Sequence, residues 1–343
     1  AALKKLGHEV FVASSGGELT KRLEDARIIH IKVNINTKSE LNPKLLFCIC
    51  KLRRFIKEKN VDVIHTHTRV SQVAGEAASR LTGRPHVSTC HGFFRPRLGR
   101  RLCGCWGRKA VAISDAVREH LVNDFGLAKS KVSLIHNGID LEAFARTYSD
   151  REKKQIRDET GLRQGPVIGI IARLSSVKGH RFLIKAMNFV TGKIKDAQLL
   201  IVGDGKEDAG LKRLTRELGL EGSIVFLRSV PDTARVLAVM DVFVLSSVNE
   251  GLGLSILEAL CCAKPVVASD VGGIYSVVKD NVTGLLVPPR DPKALAESIL
   301  RILEDRELAG RLGRDGQKFA REHFSAEDMA RRVEAVYKEV MKP

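Results

Sequence analysis

Short apolar runs of strand length recur along this chain, each closed by a small residue or a histidine and most followed by a stretch with the residues of a helix. His86-Val-Ser-Thr-Cys90, Ala110-Val-Ala-Ile113, the run from Pro166 to Ile171, Gln198-Leu-Leu-Ile-Val202, Asp241-Val-Phe-Val-Leu245 and Lys264-Pro-Val-Val-Ala268 are the clearest. Runs this apolar suit strands buried on both faces, and strands alternating with helices predict parallel sheets covered by helices. Ligands of such sheets gather at the carboxyl ends of the strands. A further strand is predicted at Val61–His65, and helices from about Pro43 to Lys59, about Ser71 to Leu81 and about Pro292 to Leu303. A chain of 343 residues is long enough for two such domains, each with its own core. The charged, irregular stretch from Leu141 to Gln164 reads as their connection. No apolar run approaches the roughly 20 residues that span a bilayer, and no secretory signal is visible.

The densest chemistry lies in Asn249-Glu-Gly-Leu-Gly-Leu-Ser-Ile-Leu-Glu-Ala-Leu-Cys-Cys262. Glu250 falls in a loop after a strand, and Glu258 in the second turn of a helix opening at Leu254. Gly251 and Gly253 let the backbone approach a ligand, and the free N–H groups and positive end of the helix behind them suit a phosphate. Glu258 sits among Ile256, Leu257, Ala259 and Leu260, where an unpaired carboxylate is costly; a ribose diol would satisfy it. Upstream, the strand from Pro166 delivers Arg173 to a loop, and Lys178-Gly179 begins a helix. Two cations there can neutralise a diphosphate, Arg through a bidentate fork and Lys as a point charge.

The net charge of +17 is uneven. Through Asp158 there are 30 Lys+Arg against 16 Asp+Glu, an excess of 14; the remainder has 27 against 24, an excess of 3. Nucleic acid, an anionic membrane or a phosphorylated acceptor would each explain a basic first half. The seven cysteines form no Cys-x2-Cys pair, so reduced thiols in a cytoplasm are expected. His65 and His67 form an isolated His-x-His, and there is no Asp-x-Asp, so chemistry without a metal is favoured.

Glu250-Gly-Leu-Gly-Leu254 followed by Leu257-Glu-Ala259 resembles the Glu-x7-Glu signature of the retaining glycosyltransferases of family 4, the "group 1" glycosyltransferases. The other landmarks come in the family's order: Leu3 with Gly7-His-Glu-Val10, His91-Gly92, Ser114 with Leu121, Asn137-Gly-Ile-Asp140, and Arg173-Leu with Lys178-Gly179. Ala172 stands where the family usually has glycine, and Ser276 where it usually has Glu. The family's first strand and glycine-rich loop, which precede the Leu3 element, are missing from the sequence, and the resemblance implies that a chain without them has impaired activity.

The resemblance implies the GT-B fold, two Rossmann-like, doubly wound parallel-sheet domains facing an interdomain cleft. Residues 1–160 would form the acceptor domain, 161–323 the nucleotide-sugar domain, and 324–343 a last helix returning to the first. The implied reaction moves a hexose-type sugar, with retention and with neither metal nor cofactor, from a nucleotide diphosphate sugar to a glycan or lipid-linked acceptor of the cell envelope. His91, Arg173, Lys178 and Glu250 would be catalytic. Gly203, Val230, Arg235, Gly251, Leu252, Gly253, Leu254 and Glu258 would bind the donor, and His67 and Asn137 the acceptor.

Residues 93–109 interleave six cations with Phe93, Phe94 and Trp106, which suits an anionic membrane. The expected location is therefore cytoplasmic and peripheral to the inner face of the membrane. Two rival readings are a nucleotide-sugar epimerase of the same architecture and a basic nucleic-acid-binding protein. The second leaves the glutamate and cation motifs idle, and no nucleic-acid partner is expected.

Overall fold

The computed structural model describes residues 1–17, 20–37, 42–96 and 98–342. Arg97, within the basic stretch 93–109, lies outside them. The chain divides into two units, one made of Ala1–Asn137 with Ala326–Pro343, the other of Gly138–Ser325.

The first unit holds strands β1 (Phe11–Ser14), β2 (Ile29–Lys32), β3 (Ile64–Thr66), β4 (His86–Cys90), β5 (Lys109–Ala112) and β6 (Val132–Leu134). β1 pairs with β2, and β3 to β6 form a four-stranded sheet in sequence order, every pairing parallel. β4 is buried at all five positions, as its unbroken run predicts. The Val61–His65 run is shorter than predicted: pairing with β4 begins only at Ile64 and extends to Thr66. The helix Lys44–Glu58 and the helix Arg69–Thr82 pack Leu45, Cys48, Ile49 and Ala74 against Val33.

The helix Ala326–Met341 closes the other end of this unit. Val333, Val336 and Val340 cover Val87, Val111 and Ile135. Polar ties fix its register: Arg108 Nη1 donates to Val340 O at 2.8 Å, and Lys109 meets Glu339 at 2.7 Å.

The second unit is one six-stranded parallel sheet in the order β12-β11-β10-β7-β8-β9. Its strands are β7 (Val167–Ile171), β8 (Gln198–Val202), β9 (Ile224–Leu227), β10 (Val242–Leu245), β11 (Val266–Ser269) and β12 (Leu285–Val287). β8, β10 and β11 are buried throughout, which is why their sequences carry no polar alternation. Each unit is therefore a Rossmann-like α/β domain.

Helix starts follow side-chain chemistry. Ser114 caps the helix Asp115–Asn123, its Oγ accepting from Val117 N at 3.2 Å. Ser149 and Glu152 form a reciprocal capping box on the helix Asp150–Thr160. The Ser149 N–H and Oγ–H, then Arg146, hold the Glu152 carboxyl down from 4.5 to about 2. A depressed carboxyl stabilises the fold fully above its unfolded pKa and less as pH falls through its folded one. The Glu152 contribution should thus persist above about pH 4.5 and fade towards pH 2. Carbon-13 titration of Glu152 should give a midpoint near 2; an ordinary carboxylate midpoint would contradict the capping box.

Candidate functional site

In the second unit β7 and β10 lie side by side, with β8 and β9 built outward on one flank and β11 and β12 on the other. This is a topological switch point, where the loops leaving adjacent strands diverge and open a crevice at their carboxyl ends. The loop after β7 carries Arg173 and Lys178; the loop after β10 carries Glu250 to Gly253.

The two loops are joined by their backbones. Val248 N–H donates to Val177 O at 2.8 Å, and Ser246 Oγ donates to Lys178 O at 3.3 Å. Gly179 makes the approach possible: its φ is +66°, and a Cβ there would stand 1.9 Å from Ser246 O. Lys178 Nζ then reaches Glu250 Oε2 at 2.5 Å, with the two side chains 22% and 12% exposed. Ser247 Oγ donates to the same carboxylate oxygen at 3.2 Å, and Gly273 N–H donates to the Glu250 carbonyl at 2.9 Å. The glutamate is thus held at side chain and backbone.

Arg173 behaves differently. It is exposed, and its guanidinium has no hydrogen bond or ion pair among the described residues. The backbone beneath it is fixed, because the turn after β8 packs on it. A Cβ on Gly203 would lie 2.1 Å from Ala172 O, and Leu174 N–H donates to Asp204 O at 2.9 Å. A rigid backbone presenting an uncommitted guanidinium suits an anionic ligand.

Gly253 is the N-cap of the helix Leu254–Cys261, whose first turn holds no acidic residue. Leu252 is buried, Gly251 half-buried and Leu254 exposed. Glu258 lies half-buried in the second turn; burial raises its pKa, and a hydrogen bond with Thr233 opposes the rise. That bond draws the start of the helix Thr233–Leu237, three residues after the half-buried Val230, against the carboxylate. Arg235 is engaged elsewhere, ion-paired with Glu159 at 2.5 Å.

Sequence reasoning passed over Ser247 and Thr233, since serine after a strand and threonine at a helix start look like ordinary turn chemistry. It also passed over His180, 2% exposed at the start of the helix His180–Lys193. Both its ring nitrogens lack partners among the described residues. Burial, then the charge of Lys178, pushes its pKa down to about 4, so the imidazole is neutral at physiological pH.

In the first unit His67 and His91 come together at the carboxyl ends of β3 and β4. His67 Nδ1 and His91 Nε2 are 3.0 Å apart, and their rings stack at 5.3 Å. His65 stacks on His67 at 4.5 Å and is held between Tyr337 Oη at 2.6 Å and Thr89 Oγ1 at 2.7 Å. Packing around the ring, then repulsion from His91, lowers His67 to about 4. Asn137 is half-buried, and no hydrogen bond joins it to either histidine. Among the described residues no group of three or more His, Cys, Asp or Glu is placed to hold a metal, and no helix is long and apolar enough to cross a membrane.

The basic stretch 93–109 differs from its sequence reading. Trp106 is buried and packs on Phe125 at 5.4 Å; Phe93 and Phe94 are half-buried beside His120. These rings pack on residues of the following helix and loop, Arg100 lies over the Phe94 ring at 4.2 Å, and Arg95 and Arg101 are exposed.

The sequence profile of the family described as Glycosyl transferases group 1 matches residues 152–319, and that of Glycosyltransferase Family 4 matches residues 1–143. The N-acetyl-alpha-D-glucosaminyl L-malate synthase of Bacillus anthracis is 27% identical over 354 residues, covering 99% of this chain and 91% of that protein. The UDP-Gal:alpha-D-GlcNAc-diphosphoundecaprenol alpha-1,3-galactosyltransferase of Escherichia coli is 27% identical over 314 residues, covering 87% and 80%. Among solved structures, a glycosyltransferase from Rickettsia africae superposes with TM-score 0.88 at 26% identity, covering 99% of this chain and 92% of that one. Anabaena HepE in complex with UDP-glucose follows with TM-score 0.86 at 25% identity, covering 96% and 91%.

Proposed function

We propose, for a chain that belongs to the group 1 glycosyltransferases and begins with a family 4 glycosyltransferase domain, that it moves a hexose-type sugar with retention of anomeric configuration. That it is a glycosyltransferase using a nucleotide-sugar donor follows from the family. The proposal adds the outcome at the anomeric carbon, the class of sugar and acceptor, and the residues.

The observation that carries it is the switch point of the second unit, where exposed, unpaired Arg173 shares a pair of stitched loops with Lys178 and Glu250. Arg173, Lys178 and the amides that open the Leu254 helix would receive the diphosphate as negative charge develops on the leaving oxygen. Lys178 already neutralises Glu250, so this carboxylate can accept hydroxyls of the transferred sugar without repelling the phosphates. Glu258, desolvated and steadied by Thr233, would accept the ribose hydroxyls, with Val230 and Arg235 on the base side. Gly203, Gly251, Leu252 and Gly253 shape the backbone around the donor. We assign His91 to the transferred sugar, and His67 and Asn137 to the acceptor. None of these steps calls on a metal.

A lipid-linked envelope glycan is the proposed acceptor, and the cytoplasmic face of a membrane the proposed place. The diphosphoundecaprenol substrate in the name of the Escherichia coli relative supports both. The test combines thermal shift across UDP-, GDP- and ADP-sugars with proton NMR of the product. An α-linked product from an α-linked donor supports the reading. An inverted linkage ends the claim of retention, and a free sugar isomer without elongated acceptor would mark an epimerase. Turnover unchanged by EDTA is expected; turnover that vanishes and returns with a divalent ion would overturn independence from metal.

Glu258→Ala should raise the donor KM about tenfold, the lower end for loss of a hydrogen bond to a charged group, and should leave kcat less affected. Steady-state kinetics at varied donor checks this, and an unchanged KM would remove Glu258 from the donor site.

A further inference from the structure

The most exposed large apolar side chains among the described residues are Phe47, 79% exposed, and Leu46, 67% exposed. Both stand on the helix Lys44–Glu58, whose inner face buries Leu45, Cys48, Ile49 and Ile56. At 3.6 residues per turn the outward arc runs through Arg53, Leu46, Lys57, Cys50, Arg54, Phe47, Glu58 and Lys51. Two bulky apolar groups thus project from a surface that carries Lys44, Lys51, Arg53, Arg54 and Lys57 against a single acid, Glu58, itself bonded to Arg54 at 2.6 Å.

The helix sits on a unit of net positive charge. The first unit has 29 Lys+Arg and 15 Asp+Glu, a net +14, and the second 28 and 25, a net +3. Beside Phe47 lies an open hollow of about 380 Å³ with Val33 and Cys48 in its floor and Lys32, Lys44 and Lys51 on its rim. Lys51 is steadied there by donating to Lys32 O at 2.8 Å. Water is a poor partner for a phenyl ring and a leucine side by side, and projecting apolar groups among cations match a bilayer boundary, where acyl chains lie under anionic headgroups. In the stretch 93–109, by contrast, the one tryptophan is buried.

We propose that the outward face of the helix Lys44–Glu58 docks this chain on an anionic lipid bilayer, Phe47 and Leu46 entering the acyl boundary and the surrounding lysines and arginines meeting headgroup phosphates. Docking needs neither donor nor acceptor, so it stands or falls separately from the transfer reaction.

The test is co-sedimentation of the chain with vesicles of phosphatidylcholine alone and of phosphatidylcholine mixed with phosphatidylglycerol. The chain should pellet with the mixed vesicles and not with the neutral ones, and added salt should release it. Leu46→Ser with Phe47→Ser, and separately Arg53→Glu, Arg54→Glu and Lys57→Glu together, should each weaken binding about tenfold or more. All five positions are exposed, so these variants keep the core intact. Arg95→Glu with Arg101→Glu, in the basic stretch 93–109, should change it far less. Equal recovery on both vesicles, no binding to either, or helix variants that bind like the parent would overturn the proposal. So would a dimer by light scattering that the Leu46/Phe47 variant abolishes while no vesicle captures the parent, since the occupant would then be a second copy.

Discussion

Arg173→Ala should lower kcat/KM by about 10²–10³-fold while leaving the unfolding midpoint unchanged. The magnitude is that of removing one preorganised donor from the site of developing charge. The absence of a stability effect follows from the environment: Arg173 is exposed and makes no hydrogen bond or ion pair among the described residues, so its loss orphans nothing. Lys178→Ala is a less transparent variant. It would strip the partner from a Glu250 side chain only 12% exposed, mixing a folding defect with a catalytic one. Arg173→Lys separates charge from geometry, since it keeps the cation and loses the fork; it should recover part of the activity. Wild-type kinetics in Arg173→Ala would remove the residue from the proposed donor site and leave Lys178 as the only cation assigned to the diphosphate.

Gly179→Ala should destabilise the second unit by about 3 kcal/mol or more, the sum of a left-handed backbone for a residue with a Cβ and a clash with backbone that cannot step aside. The added methyl would meet Ser246 O at 1.9 Å, and relieving the overlap means parting the loops that Val248–Val177 and Ser246–Lys178 hold together. Activity should fall with stability, because Lys178 and Glu250 meet only while those loops stay joined. Gly192 is the control. It lies in the helix His180–Lys193, where an added methyl would have nothing within 4 Å, so Gly192→Ala should be neutral or slightly stabilising. Urea unfolding of the two variants side by side reads the difference; equal midpoints would mean that the tight turn is not what holds the site.

The fold was legible where burial is total. β4, β8, β10 and β11 are apolar on both faces and read directly as strands. β3 was misplaced because Val61 and Val63 are as apolar as paired residues but precede the pairing. The membership of the chain in the glycosyltransferases was legible because glycine and charge recur at fixed intervals. What the sequence does not carry is which charges find each other. Lys178 and Glu250 are 72 residues apart and meet only because β7 and β10 are neighbours. Arg235 turns to Glu159 and Glu258 to Thr233 for the same kind of reason. His180 follows lysine and glycine in a stretch that looks solvated, and only the packed helix reveals that its ring is buried.

The helix Ala326–Met341 also sets a timetable. A ribosome releases Val87, Val111 and Ile135 long before Val333, Val336 and Val340, which cover them, have been synthesised. While the whole of the later unit is being translated, the earlier one waits with a bare aliphatic strip, the kind of exposed surface on which nascent chains aggregate or recruit chaperones. The last helical turns are therefore a folding checkpoint, and a polypeptide released before them would leave its opening half unfinished however well the rest had folded.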